Sequence, residues 1–150
     1  MPDLAVGRAM EILLVEDNLL DARITMEALN ESGLKHRLTL VRDGDECLEF
    51  LQQQGRFSQA PRPDLILLDL NLPKRDGFEL LESVNDDKRF ERVAVVVLTA
   101  EDGEDVQDRC EHQHVQSFIR KPVNIEKFLA TIQLLRRDWL QDVLLPSAQE

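Results

Sequence analysis

Three stretches of this chain, residues 12–15, 65–70 and 93–99, are apolar at nearly every consecutive position. A strand with one wet face alternates apolar and polar residues, so runs like these are predicted to be strands covered on both faces. Between them lie segments whose apolar residues recur every three or four positions. Leu20, Ile24 and Ala28 follow Asn18, a plausible N-cap, and stop at Ser32-Gly33. Cys47, Leu48 and Leu51 follow the Asp43-Gly44 turn and end near Gly55; Phe78, Leu81 and Val84 follow the loop 71–77. Ile125, Phe128, Leu129, Ile132 and Leu135 mark a last helix, and residues 104 to about 113 a fourth. Leu38, Leu40 and Val41 supply a second strand, and a fifth runs through Phe118 and Ile119 to Lys121-Pro122. The longest connection, 55–64, carries Pro61 and Pro63. The order is (βα)5, which predicts an α/β fold: a doubly wound five-stranded parallel sheet with right-handed crossovers and helices on both faces.

The 150 residues fit one domain, and 43% hydrophobic with 31% charged is a globular balance. A formal net charge of −11 would repel a phosphate backbone, so direct nucleic-acid binding is disfavoured. The start of the chain carries Asp3 and no apolar block behind basic residues, unlike a secretory signal. The longest apolar run, 93–98, is far below the roughly 20 residues that span a bilayer. Cys47 and Cys110 are too few and too far apart for a metal knuckle or a disulfide scaffold, and both fall at helical core spacing. His36, His112 and His114 lack zinc-ligand spacing. A cytoplasmic, non-membrane protein is expected.

In open parallel sheets, ligands bind beyond the carboxyl ends of the strands, where strand order reverses. The first strand ends in Glu16-Asp17, the third in Asp69, the fourth in Thr99 and the fifth in Lys121. Taken alone, Glu16-Asp17 reads as a helix cap, and Thr99 and Lys121 as routine strand-end polar residues. Asp69 inside an apolar strand shifts that balance, because an acid there is costly to bury without a partner. Three like charges about 5 Å apart repel by roughly 3 kcal/mol per pair at an effective dielectric near 20, so the set calls for a cation. Hard carboxylate oxygens without His or Cys favour Mg²⁺. An anionic group carried on Asp69 would then meet Lys121 as ion pair and Thr99 as donor, which describes a phosphoryl-acceptor site.

These residues resemble the CheY-like receiver domain of two-component response regulators over about 11–137. The likeness rests on Leu14-Val15-Glu16-Asp17-Asn18, Leu67-Leu68-Asp69-Leu70-Asn71-Leu72-Pro73, Asp76-Gly77, Leu98-Thr99-Ala100 and Lys121-Pro122, in that order and spacing. Pro61-Arg62-Pro63 and Trp139-Leu140 look like the stand-alone cyanobacterial-phytochrome response-regulator subfamily. The resemblance implies a strand order of 2-1-3-4-5 and a single receiver domain over 1–150 with a C-terminal extension at 138–150. It makes Asp69 the phosphoacceptor, with Thr99 and Lys121 in the reaction. Glu16, Asp17, Asp69 and the backbone carbonyl of Asn71 become Mg²⁺ ligands. Thr99 and Phe118 become switch residues, Phe118 turning inward on activation. Lys121-Pro122 is expected to be cis, and Asn71 and Glu101 to tune hydrolysis of the aspartyl phosphate.

The function implied is a response regulator that accepts phosphate from a histidine kinase, with a phytochrome-type kinase as the donor that the subfamily likeness points to, and signals through a protein-interaction face from the fourth strand to the last helix. It is not an enzyme beyond self-phosphorylation from phosphodonors and slow self-dephosphorylation. The apolar tail with Trp139, Leu140, Val143 and Leu144 either covers a sheet edge or extends that face into a homodimer seam. Two other classes stay open: a phosphate-independent adaptor on the same scaffold, and a hydrolase using Asp69 as nucleophile. Against the hydrolase, Asn71 stands where a second acid would be needed.

Overall fold

The computed structural model describes residues 8–74, 76–100, 108–110 and 113–135. Its strands are β1 (Met10–Val15), β2 (His36–Val41), β3 (Leu65–Asp69), β4 (Ala94–Thr99) and β5 (Ser117–Arg120). Its helices are α1 (Leu19–Glu31), α2 (Gly44–Leu51), α3 (Gly77–Asp86) and α4 (Ile125–Ile132). The strands form one parallel sheet in the order β2-β1-β3-β4-β5, so the winding reverses between β1 and β3.

Alternate side chains of each central strand feed two separate cores, as the strand period requires. Met10, Ile12 and Leu14 of β1 with Leu65 and Leu67 of β3 pack beneath α1 and α4, against Ala22, Leu29, Phe128 and Ile132. Leu13 and Val15 with Ile66 and Leu68 pack on the other face, against Cys47 and Phe50 of α2 and Leu80 and Leu81 of α3. Every residue of β3 and β4 is buried, whereas the edge strands β2 and β5 are only partly so. Each fully buried Leu or Val contributes about 1.5–3 kcal/mol, which makes this double layer the source of the fold's stability.

Helix starts follow the capping rules. The side chains of Asn18, Asp43, Asp76 and Asn124 accept backbone N–H groups at the starts of α1, α2, α3 and α4. The apolar spacing in α1 needs correction: Leu20 is 66% exposed, while Ala22, Thr25, Ala28 and Leu29 are buried. At about 100° per residue, Leu20 sits roughly 200° around the helix from Ala22, off the core face. α2 stops at Leu51, with a short 3₁₀ turn at Gly55–Phe57, and a second 3₁₀ turn occupies Lys88–Phe90. α4 ends at Ile132, short of the expected Leu135, although Leu135 is still buried.

At the amino end of the sheet, Asp64 ties three segments together. Its carboxylate accepts both terminal nitrogens of Arg8, each at 2.8 Å, and the Glu11 N–H at 2.8 Å. Its backbone N–H donates to Glu11 O at 2.8 Å, and its carbonyl accepts from Ala94 N at 3.0 Å.

Cys47 and Cys110 are buried free thiols, as expected, and burial pushes the Cys47 thiol up to about 12 with help from the Asp43 charge. His36 Nδ1 lies 2.7 Å from Leu34 O, and His114 is exposed. Of the fourth helix expected over 104–113, residues 108 and 109 are helical. Glu101, His112 and the extension at 138–150 with Trp139 lie outside the described residues. Among the described residues, no helix is long and apolar enough to cross a membrane.

Candidate functional site

The strand register assembles the site. Val15 of β1 pairs with Leu68 of β3, so one step further Glu16 comes beside Asp69. Glu16 keeps to the ladder by donating its N–H to Val41 O at 3.0 Å. Asp69 pairs with Leu98, and Thr99 with Arg120; Lys121 then donates its N–H to Thr99 O at 2.7 Å. Glu16, Asp69, Thr99 and Lys121 therefore sit at one level, at the carboxyl edge where the winding reverses.

Glu16, Asp17 and Asp69 each offer a carboxylate oxygen within 4.8 Å of the others. Asp69 is 7% exposed and Glu16 fully buried. Glu16 Oε2 accepts the Asn18 N–H at 3.2 Å, and Asp69 Oδ1 accepts the Asn71 N–H at 2.9 Å. The Lys121 ammonium stands among these acids: Nζ lies 2.8 Å from Asp69 Oδ2 and 2.8 Å from Glu16 Oε1. The contact with Asp69 is an aligned hydrogen bond; the contact with Glu16 Oε1 is an ion pair without that alignment, and among the described residues this buried oxygen has no hydrogen bond. Asp21, in the first turn of α1, reaches the same ammonium, Nζ to Oδ2 at 3.2 Å.

Burial and the Asp69 carboxylate push the Glu16 carboxyl up to about 7 despite Lys121. Burial pulls the Lys121 ammonium the other way, but the Asp69 and Glu16 carboxylates beside it outweigh this and raise it above its ordinary value. The pocket is thus short of positive charge even with a lysine in it. Hard carboxylate oxygens, one of them buried without a hydrogen bond, fit a divalent ion of the Mg²⁺ kind.

Other expected site residues take distinct places. Thr99 ends β4 and is buried. Asn71 is exposed on the loop after β3. Phe118 on β5 pairs with Val97 and is half-buried against the α2–α3 core. The Lys121-Pro122 peptide is cis. The loop after β3 is held close by Gly77, whose N–H donates to Leu70 O at 3.2 Å; a Cβ there would lie 2.4 Å from Leu70 Cα. Nearby, the Arg109 guanidinium stacks 3.6 Å over the Phe78 ring. Sequence reasoning missed Asp21: an acid in the first turn of a helix is ordinarily explained by the helix dipole, and nothing in its spacing points to Lys121.

A parallel sheet of this order, with three acids and a lysine gathered at its switch point, defines a receiver-type phosphoryl acceptor of two-component signalling. The chain belongs to the response regulator receiver domain family, whose model matches residues 12–133. It is 42% identical over 137 residues to response regulator Rcp1 of Synechocystis sp., covering 91% of this chain and 93% of that one. The Mn²⁺-bound crystal structure of Rcp1 matches with a TM-score of 0.72 at 41% identity, covering 92% of this chain and 99% of that one. The phosphorylated cyanobacterial phytochrome response regulator RcpA matches with a TM-score of 0.74 at 41% identity, over 93% and 100% of the two chains. The bacteriophytochrome response regulator RtBRR gives 0.80 at 32% identity, over 95% and 84%. These likenesses group the chain with the phytochrome response regulators, a signalling class rather than a classical enzyme. The Rcp1 structure is a Mn²⁺-bound form, and in this chain Glu16, Asp17 and Asp69 form a cluster that could hold a divalent ion.

Proposed function

We propose that Asp69 is the phosphoacceptor of this receiver and that Glu16, Asp17, Asp69 and the Asn71 carbonyl hold its Mg²⁺. One observation carries the reading: a lysine ammonium 2.8 Å from oxygens of both Asp69 and Glu16, in a pocket still short of positive charge. An Asp69 oxygen attacks the phosphorus of a phosphohistidine; the P–N bond breaks as the P–O bond forms, and the imidazole leaves with a proton. Glu16, Asp17, Asp69 and the Asn71 carbonyl would hold a Mg²⁺ whose charge would offset that on the phosphoryl oxygens. Lys121 meets one of those oxygens as an ion pair, and the Asn71 N–H holds the carboxylate in place. The Thr99 hydroxyl, drawn toward the phosphoryl group, leaves space that Phe118 fills, biasing a two-state equilibrium. Asn71 and Glu101 set the rate of the slow self-hydrolysis.

The phosphodonor in the cell is a histidine kinase, of the phytochrome type if the chain follows the relatives named for phytochromes. The output is a cytoplasmic protein contact through the face from β4 to α4. The extension at 138–150 is the candidate seam of a homodimer, with residues 11–137 as one receiver unit. Sedimentation with and without beryllofluoride tests the seam; a monomer in both states removes it.

Incubation with acetyl phosphate or phosphoramidate and Mg²⁺, followed by intact mass, tests the acceptor. Wild type gains an adduct of about 80 Da, acid-stable and base-labile, and Asp69→Asn does not. An adduct of equal yield on the Asp69→Asn variant rejects the assignment. No adduct on wild type at saturating donor favours a phosphate-independent adaptor instead.

A further inference from the structure

Lys121 has three N–H donors and, among the described residues, three carboxylates around it, two of which belong to the metal-binding cluster. Asp21 is the third. Its bond to Nζ is aligned, whereas the closer contact to Glu16 Oε1 is not. The ammonium's aligned bonds thus run to Asp69 and Asp21, and Glu16 Oε1 meets it as an ion pair at 2.8 Å. Glu16 and Asp69 would share their carboxylates between Lys121 and a divalent ion bound there, whose charge would repel the ammonium. A lysine with no other anion in reach would resist that sharing.

We propose that Asp21 is a positioning residue that keeps Lys121 at the site when a divalent cation takes over Glu16 and Asp69. The inference rests on the acceptor reading given above. Asp21 is suited to the role by where it stands. The Asn18 side chain fixes its N–H at 2.9 Å, and the next residue, Ala22, is buried in the core, so the backbone that carries it is rigid. Its side chain is 34% exposed, against 14% for Lys121, which places the bond at the mouth of the pocket and the ammonium inside. From there Lys121 can pivot on Asp21 toward a phosphoryl oxygen without leaving the site.

The test is a double-mutant cycle read by calorimetric Mg²⁺ binding to the full chain: wild type, Asp21→Asn, Lys121→Met and the double variant. Asp21→Asn weakens Mg²⁺ binding about threefold to tenfold when Lys121 is present and by less than about twofold in the Lys121→Met background, because the effect runs through the lysine. Asp21→Glu restores the wild-type affinity. Equal weakening in both backgrounds would make Asp21 a plain charge near the metal, and no weakening in either would remove its role; each overturns the proposal. A second measurement needs no Lys121 variant. In Mg²⁺-saturated protein, the ¹⁵N signal of the Lys121 ammonium shows slow proton exchange in wild type and fast exchange in Asp21→Asn, and identical exchange in the two also overturns it. These readouts are independent of phosphorylation, so a wild type that binds Mg²⁺ with this coupling yet takes no phosphoryl group would sink the acceptor reading alone.

Discussion

Lys121 Nζ lies 2.8 Å from Asp69 Oδ2, across the gap between the ends of β5 and β3. The lysine side chain is only 14% exposed, so carboxylates rather than water hold its charge. A cation kept in place before any phosphoryl group arrives needs little reorganisation when one does.

Replacing that cation separates binding from chemistry. Lys121→Met is expected to slow phosphorylation by acetyl phosphate about 100-fold or more while Mg²⁺ binds more tightly, its competitor for Glu16 and Asp69 having gone. Single-turnover phosphorylation followed by intact mass, beside a Mg²⁺ titration, checks both halves. A rate within threefold of wild type would mean that Lys121 does not face the phosphoryl group.

The Glu16 carboxyl predicts how stability changes with pH in the metal-free protein. Its value rises from 4.5 to about 7 through burial and the Asp69 charge, so the folded state binds the proton more tightly than the unfolded state does. The resulting stabilisation is complete below 4.5 and is lost as pH rises through about 7. Urea denaturation in EDTA at pH 5 and pH 8 should show it. Saturating Mg²⁺ or Glu16→Gln flattens the difference, and an unchanged slope in Glu16→Gln would assign it to other groups.

Gly77→Ala tests the packing that holds the loop after β3. The added Cβ would sit 2.4 Å from Leu70 Cα and 2.7 Å from Leu70 O, both backbone atoms that cannot swing away. A loss of about 1–3 kcal/mol in equilibrium unfolding is expected. Because the same loop carries Asn71, whose N–H holds Asp69, phosphorylation should slow as well. Wild-type stability in this variant would show that the loop yields easily.

Asp43 caps α2, accepting the Glu46 N–H at 2.9 Å and pairing with Lys74 at 3.4 Å. Burial opposes ionisation of Asp43, but the Glu46 bond and Lys74 outweigh it and hold the carboxyl below its ordinary 3.8. The folded value is the lower one, so this stabilisation is present above 3.8 and is lost as pH falls through the folded value. Asp43→Ala should cost about 1 kcal/mol near pH 7, with the gap to wild type closing in acid. Chemical denaturation at pH 7 and pH 3 measures it; a gap that stays constant would mean that the carboxylate charge contributes nothing.

Much of this architecture was readable from the residues, for a physical reason. Leu65 to Leu68 and Val95 to Leu98 carry no polar face, so only a sheet covered on both sides could take them, and β3 and β4 are buried throughout. The acid after β1 and the acid ending β3 were visible as unusual residues, but their adjacency depends on the register of Val15 with Leu68, which no local pattern encodes. Leu20 misleads because hydrophobicity alone does not give direction, whereas small Ala22 and Thr25 are the residues buried beneath α1. Asp21 was hidden in a helix start, where acids are common. The demand on Gly77 is likewise a matter of tertiary distance to Leu70, absent from any reading along the chain.

Asp64 gives the sheet a direction in which to yield. With its carboxylate on Arg8 and Glu11 and its backbone bonded to Glu11 and Ala94, it rivets β1, β3 and β4 together at the margin farthest from the acids. Sliding one strand past another would tear those fastenings first. If Asp69 takes up the proposed phosphoryl charge, strands fastened at that margin favour a rearrangement at the opposite rim.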